Sequence, residues 1–289
     1  MGKDSGIEWC DHTFNPWVGC TRISSGCDNC YAATWARRSG LVQWDGPPRR
    51  TSESAWRQPY KWNSEASRSR RRARVFVASL GDVFDKQVPA EWRKDLWALI
   101  RMCGALDFLL LTKRPQNIAA MLPESWPWPN VRLGFTAENQ TEFDRRWYAA
   151  RNISACWFVS AEPLLGHINM APAALSSPGI DWVIAGGESG PNARPTHPDW
   201  VRSLRDQCDV TGTAFFFKQW GEWAPGENIQ DQRRYPTVSW FDEQWLNHGK
   251  QNGDDWTIEA DNDCVLYRAG RAKTGALLDG RGHREMPIK

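Results

Sequence analysis

From residue 75 onward the chain alternates between short apolar runs and amphipathic segments. The runs lie at Val75–Ser79, Phe108–Thr112, Val131–Thr136, Trp157–Ser160, Trp182–Ala185 and Ala214–Phe217. They are β-branched or aromatic and nearly continuous, the pattern of parallel strands covered on both faces. Between them Pro89-Ala90-Glu91-Trp92 opens a helix whose apolar positions Trp92, Leu96, Leu99, Ile100 and Cys103 recur at three and four, with Gly104 as its stop. Asn139–Ala150 and His197–Cys208 predict two more, Asp199 sitting in the acid-favouring first turn of the latter. An early strand near Thr13–Val18 and a helix over Asn29–Arg38 complete about seven units. The expected class is α/β, a full or partial (β/α) TIM-like barrel of about six or seven parallel strands. An open doubly wound sheet is the alternative.

Two stretches break the rhythm. Residues 41–74, with Trp44, Gly46-Pro47-Pro48, Trp56 and Trp62, read as a long connection after the first helix. Residues 224–272 are polar, rich in Gly, Asp and Asn and strewn with Trp and Tyr, and read as a lid or small β element. The expected division is therefore a barrel over 1–223 and an irregular C-terminal lid or extension over 224–289. The tail Lys273–Gly280 has a charged loop character.

Composition narrows the function. A formal net charge of +2 over 289 residues is not that of a dedicated nucleic-acid binder. The compact basic run Ser67–Arg74 reads as a solvated connection before a strand or as a phosphate-contacting patch. Nineteen tryptophans exceed ordinary usage, enough to fill core positions and leave some to stack on a flat substrate. No apolar run is long enough to span a membrane, and the N-terminus lacks a signal-peptide core. Eight cysteines at these spacings are not a secreted disulfide framework, and Cys103, Cys156 and Cys208 are expected as buried thiols. The expected setting is a reducing cytoplasm.

The candidate chemistry begins with Cys20, Cys27 and Cys30, separated by six and then two residues. A Cys-x2-Cys pair brings two thiolates to one centre, and a third cysteine a short loop away can close on it. Three thiolates on a [4Fe–4S] cluster leave one iron free, whereas a structural zinc wants a fourth protein ligand. In a parallel barrel the carboxyl ends of the strands meet at one mouth. Here those ends deliver Ser79-Leu80-Gly81-Asp82, Thr112-Lys113-Arg114-Pro115, Thr136-Ala137-Glu138-Asn139-Gln140, Ser160-Ala161-Glu162-Pro163, Gly186-Gly187-Glu188-Ser189-Gly190 and Lys218-Gln219-Trp220. Gly186-Gly187 would let backbone approach a ligand closely, although it lacks both the dinucleotide and the P-loop spacing.

With its cysteine trio after the first barrel strand and the βα repeats that follow, the chain resembles the radical S-adenosylmethionine (SAM) superfamily. Asn15–Cys20, Cys27–Ala32, Asp82-Val83-Phe84, Leu111–Pro115, Glu162–Gly166, Gly186–Pro191 and Phe217–Gly221 are similar to a phage-associated family of radical-SAM-like proteins with a Cys-x6-Cys-x2-Cys motif. The similarity runs from about residue 7 to 223 and resumes at Lys273–Pro287. It departs from the superfamily's usual Cys-x3-Cys-x2-Cys spacing, and the Gly-Gly-Glu element follows the sixth strand rather than the second. The resemblance implies a [4Fe–4S] cluster on Cys20, Cys27 and Cys30 that cleaves SAM reductively. It implies Ser79, Gly81 and Asp82 at the SAM amino group, Glu138 and Asn139 at its ribose or carboxylate, and Gly186 and Gly187 by the adenine, with Glu188 also among the cofactor-binding residues. Glu162, Lys113, Lys218 and Gln219 are the expected substrate contacts. The expected partners are an electron donor such as a flavodoxin or ferredoxin and a nucleic-acid or nucleotide substrate. The competing reading is a zinc-stabilised nucleic-acid-binding protein in which Cys10 or His12 completes a four-ligand site.

Overall fold

The computed structural model describes residues 5–250, 261 and 264–287. Seven parallel strands form the main sheet: β1 (His12–Phe14), β4 (Ala73–Val77), β5 (Leu106–Thr112), β6 (Val131–Thr136), β7 (Cys156–Ala161), β8 (Ile180–Gly186) and β9 (Ala214–Gln219), hydrogen-bonded in that order. Two short strands, β2 (Trp17–Val18) and β3 (Arg49–Arg50), form a separate antiparallel ribbon. The early strand expected over Thr13–Val18 thus splits, and only its first part joins the barrel.

The continuous apolar runs divide their side chains between two faces. Val75 and Val77, Phe108 and Leu110, Trp157 and Val159, and Phe215 and Phe217 belong to the large core beneath the helices. Phe76, Leu109, Phe158, Trp182, Ile184 and Phe216 point to the other side, around Trp9. Trp9 lies 4.6 Å from the Phe76 ring, 6.4 Å from Phe158 and 6.2 Å from Trp182. Phe76 and Trp182 sit four strands apart, about 19 Å on a flat sheet, so the sheet must curl for one indole to touch both. The result is a partial barrel. At Gly134 any Cβ would overlap the Phe158 ring, which is why the inward row of β6 is glycine there.

The seam between β1 and β9 is covered rather than paired. His283–Glu285 runs antiparallel to β9, with Phe217 N–H donating to His283 O (3.0 Å) and Glu285 N–H to Phe215 O (3.1 Å). Arg284 pairs with Glu8 of the N-terminal segment at 2.9 Å. Covering the edge of β9 this way removes a template for pairing with other chains.

Helices α1 (Tyr31–Ser39), α4 (Ala90–Met102), α5 (Gln140–Ala150) and α7 (Pro198–Thr211) lie where the periodicity puts them, with short α6 (Ala171–Ala174) between β7 and β8. Residues 41–74 are more than a connection: they hold α2 (Glu53–Trp56) and α3 (Gln58–Ser69), and Trp62 and Ala66 of α3 enter the core. The arginine-rich end of α3 masked its narrow apolar stripe in sequence. Cys103 and Cys208 are buried as expected, but Cys156 is exposed, at the very start of β7 where the chain enters from solvent.

After β9 a small antiparallel sheet forms from β10 (Ala224–Pro225), β13 (Val265–Tyr267), β11 (Pro236–Phe241) and β12 (Gln244–Lys250), in that spatial order. The rest of the expected extension includes residues 251–260, 262–263 and 288–289, which lie outside the described residues. The charged tail folds as α8 (Arg271–Thr274) and the two-stranded ribbon β14 (Leu277–Leu278) with β15 (Arg281–Gly282). Trp220 Nε1 donates to Leu277 O at 2.8 Å and Thr274 Oγ1 to Gly221 O at 2.6 Å, tying this tail to the end of β9. Among the described residues, no helix is long and apolar enough to cross a membrane.

Candidate functional site

The inward rows that make the apolar plug end, one turn of pleat higher, in Ala78, Leu111, Thr136, Ser160 and Lys218. These line a cavity of about 310 Å3 at the carboxyl end of the sheet. Its floor is Ile7, Trp9 and Phe76, and Tyr31 and Trp44 contribute further aromatic lining. Cys20, Cys27 and Cys30, none in a disulfide, all line this one cavity and are each half-buried. Among the described residues no three His, Cys, Asp or Glu side chains converge on a single metal ion. Three soft thiol donors on one short loop, spread around a shared cavity, fit the cysteine set of an iron–sulfur cluster. His12 instead stacks on Trp62 of α3 at 4.4 Å, and Cys10 Sγ donates to Ile7 O at 3.6 Å within the apolar plug.

The loop that carries the cysteines is held from three directions, each time by an arginine paired with a carboxylate. From β5, Arg114 Nη1 bonds Asp82 Oδ2 at 3.0 Å, and its Nη2 donates to Thr21 O at 2.6 Å. From β6 and α5, Glu138 accepts from Ser24 Oγ at 2.7 Å and pairs with Arg146 and, at 3.6 Å, with Lys113. A Cβ at Gly26 would overlap the Glu138 carboxylate, so the loop can seat there only as glycine. From the β8 loop, Glu188 accepts from Asn29 Nδ2 at 3.0 Å and is gripped by Arg194 at 2.6 and 2.9 Å. Arg194 also donates to Ser25 O at 2.8 Å and meets Asp28 at 3.3 Å.

The pairing shows in the acidities. Burial alone would push the Glu138 carboxyl up, but Lys113 and Arg146 outweigh it and hold it below the usual range. Burial acts likewise on Glu188, and Arg194 with Asn29 reverses it. Burial raises the Cys20 thiol to about 12, helped by Asp82 and opposed by Arg114.

Of the residues expected at a SAM-type cofactor, Ser79, Gly81, Asp82, Gly187 and Glu188 line the cavity. Asp82 is only 4% exposed and its oxygens are already taken by Thr112 Oγ1, Arg114, and the Phe84 and Lys113 N–H groups. Ser79 Oγ bonds Asn15 at 3.0 Å, and Ser79 O accepts from the Tyr31 hydroxyl at 2.5 Å. Ala78, just before this turn, has φ of 60°, a strained value for alanine at the rim of the cavity. Gly187 is where a Cβ would overlap Trp220 O, and its own N–H donates to Gln219 O at 2.9 Å.

Other expected residues stand outside the cavity lining. Glu138 is fully buried under the cysteine loop. Asn139 is spent as the N-cap of α5, accepting from Glu142 N–H at 3.0 Å. Gly186 packs beside Glu162, and Gln219 Nε2 donates to Gly187 O at 2.8 Å. Among the expected substrate contacts, Glu162, Lys113 and Lys218 do line the cavity. Lys218 Nζ pairs with Glu162 at 2.6 Å. Sequence reading missed Arg146, Arg194 and Arg271, the last reaching the cavity from α8. No local sequence motif marks any of the three.

Residues 4–287 match the model of a family described as "Protein of unknown function (DUF5131)". None of the curated proteins matches the chain. Among solved structures, a spore photoproduct lyase mutant with bound AdoMet and dinucleoside spore photoproduct is similar over 90% of this chain and 68% of its own, at 14% identity and a TM-score of 0.45.

Proposed function

We propose that this chain, which belongs to the DUF5131 family, is an enzyme of the radical SAM type. The observation that carries the reading is that Cys20, Cys27 and Cys30 all line one cavity at the carboxyl-end mouth of a partial barrel. In this reading the three thiolates hold a [4Fe–4S] cluster and leave one iron for SAM. When bound, the pair would supply reductive cleavage of the sulfonium and hydrogen-atom abstraction from the substrate.

The chain's own residues do the holding. Ser79 and Gly81 would hold the SAM amino group, while Asp82, already saturated by protein donors, fixes their turn and anchors Arg114. Gly187, whose N–H and C=O are both bonded to Gln219, would meet the adenine by packing alone. Glu138 and Glu188 act on the cysteine loop rather than on SAM. Lys113, Glu162 and Lys218 meet the polar part of the substrate, and Trp9, Phe76 and Leu111 the apolar part. Such a lining suits a nucleotide or nucleic-acid base, which is flat and carries polar edges. The C-terminal extension, through Arg271, serves as a lid, and a flavodoxin- or ferredoxin-type donor delivers the electron.

Anaerobic reconstitution of the full chain tests this directly. The expected outcome is brown protein with about four irons per chain that cleaves SAM once reduced, and loss of both iron and cleavage in Cys20→Ala, Cys27→Ala and Cys30→Ala. Colourless protein holding one zinc and no iron would overturn the reading.

A further inference from the structure

Arg114 differs from the other two arginines of the loop because it reaches a cysteine sulfur. Its Nη1 lies 3.5 Å from Cys20 Sγ, and its Nη2 3.2 Å from Asp85 Oδ2 as well as on Thr21 O. Its side chain is 7% exposed, so its field is little screened by solvent. Asp85 in turn accepts from Thr21 N–H at 3.3 Å and Thr21 Oγ1 at 3.1 Å. One guanidinium therefore fixes both the sulfur and the residue that starts the six-residue span to Cys27. Among the described residues, Cys27 and Cys30 receive no comparable donor.

The charges around it nearly cancel. Asp82 and Asp85 are the acids. The second base is Arg93, whose guanidinium donates to Val83 O at 3.0 Å, Asp85 O at 3.1 Å and Val88 O at 3.3 Å. In so balanced a group, the charge that touches the sulfur decides the sign of the field there.

We propose that Arg114 is a positioning residue for Cys20 that also makes the iron–sulfur group easier to reduce. The inference rests on the cluster reading above. Hydrogen bonds and positive charge at a thiolate ligand favour the more negative, reduced state. Cys20 thereby becomes the electrically distinct corner of the site, held together with its neighbour Thr21 by one guanidinium.

The test is the midpoint potential of the reconstituted full chain, measured by redox titration followed by electron paramagnetic resonance. Arg114→Gln should shift the midpoint downward, with Arg114→Lys between it and the parent. Asp85→Asn, which removes an acid facing the guanidinium, should shift it upward. Iron content is measured beside each midpoint, and the midpoint is read from the protein that holds cluster, so that partial loss of iron does not enter the shift. If Arg114→Gln does not fold, Arg114→Lys and Asp85→Asn still give shifts of opposite sign. Equal midpoints throughout would overturn the role of Arg114 and leave the cluster standing. A parent protein that takes up no iron would overturn both.

Discussion

The two ends of the barrel both gather arginines, and they use them in opposite ways. At the amino end, Arg71, Arg72 and Arg74 of the basic run surround Asp11 and Asp107 near the surface. The Arg71–Asp11 pair is 3.8 Å long, with side chains 81% and 27% exposed. At the mouth, Arg146 and Glu138 are 1% and 0% exposed, and Arg114 and Asp82 7% and 5%. Charge density in sequence therefore points to the wrong end. Exposed pairs contribute little, whereas a buried charge stripped of its partner is costly. The scattered arginines hold the cysteine loop, while Arg72 is occupied with Asp107, Gly104 O and Leu106 O at the far end of the sheet from the cavity.

The largest test of this contrast is Arg146→Ala. It leaves Glu138 buried with only Lys113 and Ser24 as side-chain partners, and should cost about 3–5 kcal/mol in urea unfolding. A change below about 0.5 kcal/mol, the scale of a surface substitution, would erase the distinction between the ends. Gly187→Ala comes next. Its Cβ must displace the Trp220 carbonyl, an overpacking expected to cost about 1–3 kcal/mol and to distort the β8 and β9 ends of the cavity.

Acid sharpens the comparison more gently. Glu138 and Glu188 have folded-state pKa values below the usual 4.5. Their contribution is therefore complete above the unfolded pKa and is lost as pH falls through the lower folded values. Amide protection in residues 20–30, taken relative to the intrinsic exchange rate at each pH, should fall on acidification below the usual carboxylate range before that of the main sheet. Simultaneous loss of protection would mean that the clamps are not a separate unit. The smallest effect should come from Arg71→Ala, within about 0.5 kcal/mol of the parent by the same urea measurement.

Much of this molecule could be read from its chain. The strands announced themselves because continuous apolar runs between helical repeats have few solutions other than a covered parallel sheet. The cysteine loop was equally plain, since its ligands lie within eleven consecutive residues. The α3 helix escaped notice because its apolar positions Trp62 and Ala66 stand among Lys, Asn, Ser and Arg. Cys156 was misplaced because strand periodicity says nothing about whether a strand's first residue has yet entered the core.

What the sequence determined by itself was therefore local or periodic: the βα repeats, the thiol spacing, and the polar residues at the strand ends. The tertiary structure alone decided which charges meet. Thr21 finds Arg114 across 93 positions, Ser24 finds Glu138 across 114, and Asn29 finds Glu188 across 159. Such pairings leave no mark on the chain, because they depend on how the curled sheet brings distant strand ends together and on burial that excludes the water competing for each charge.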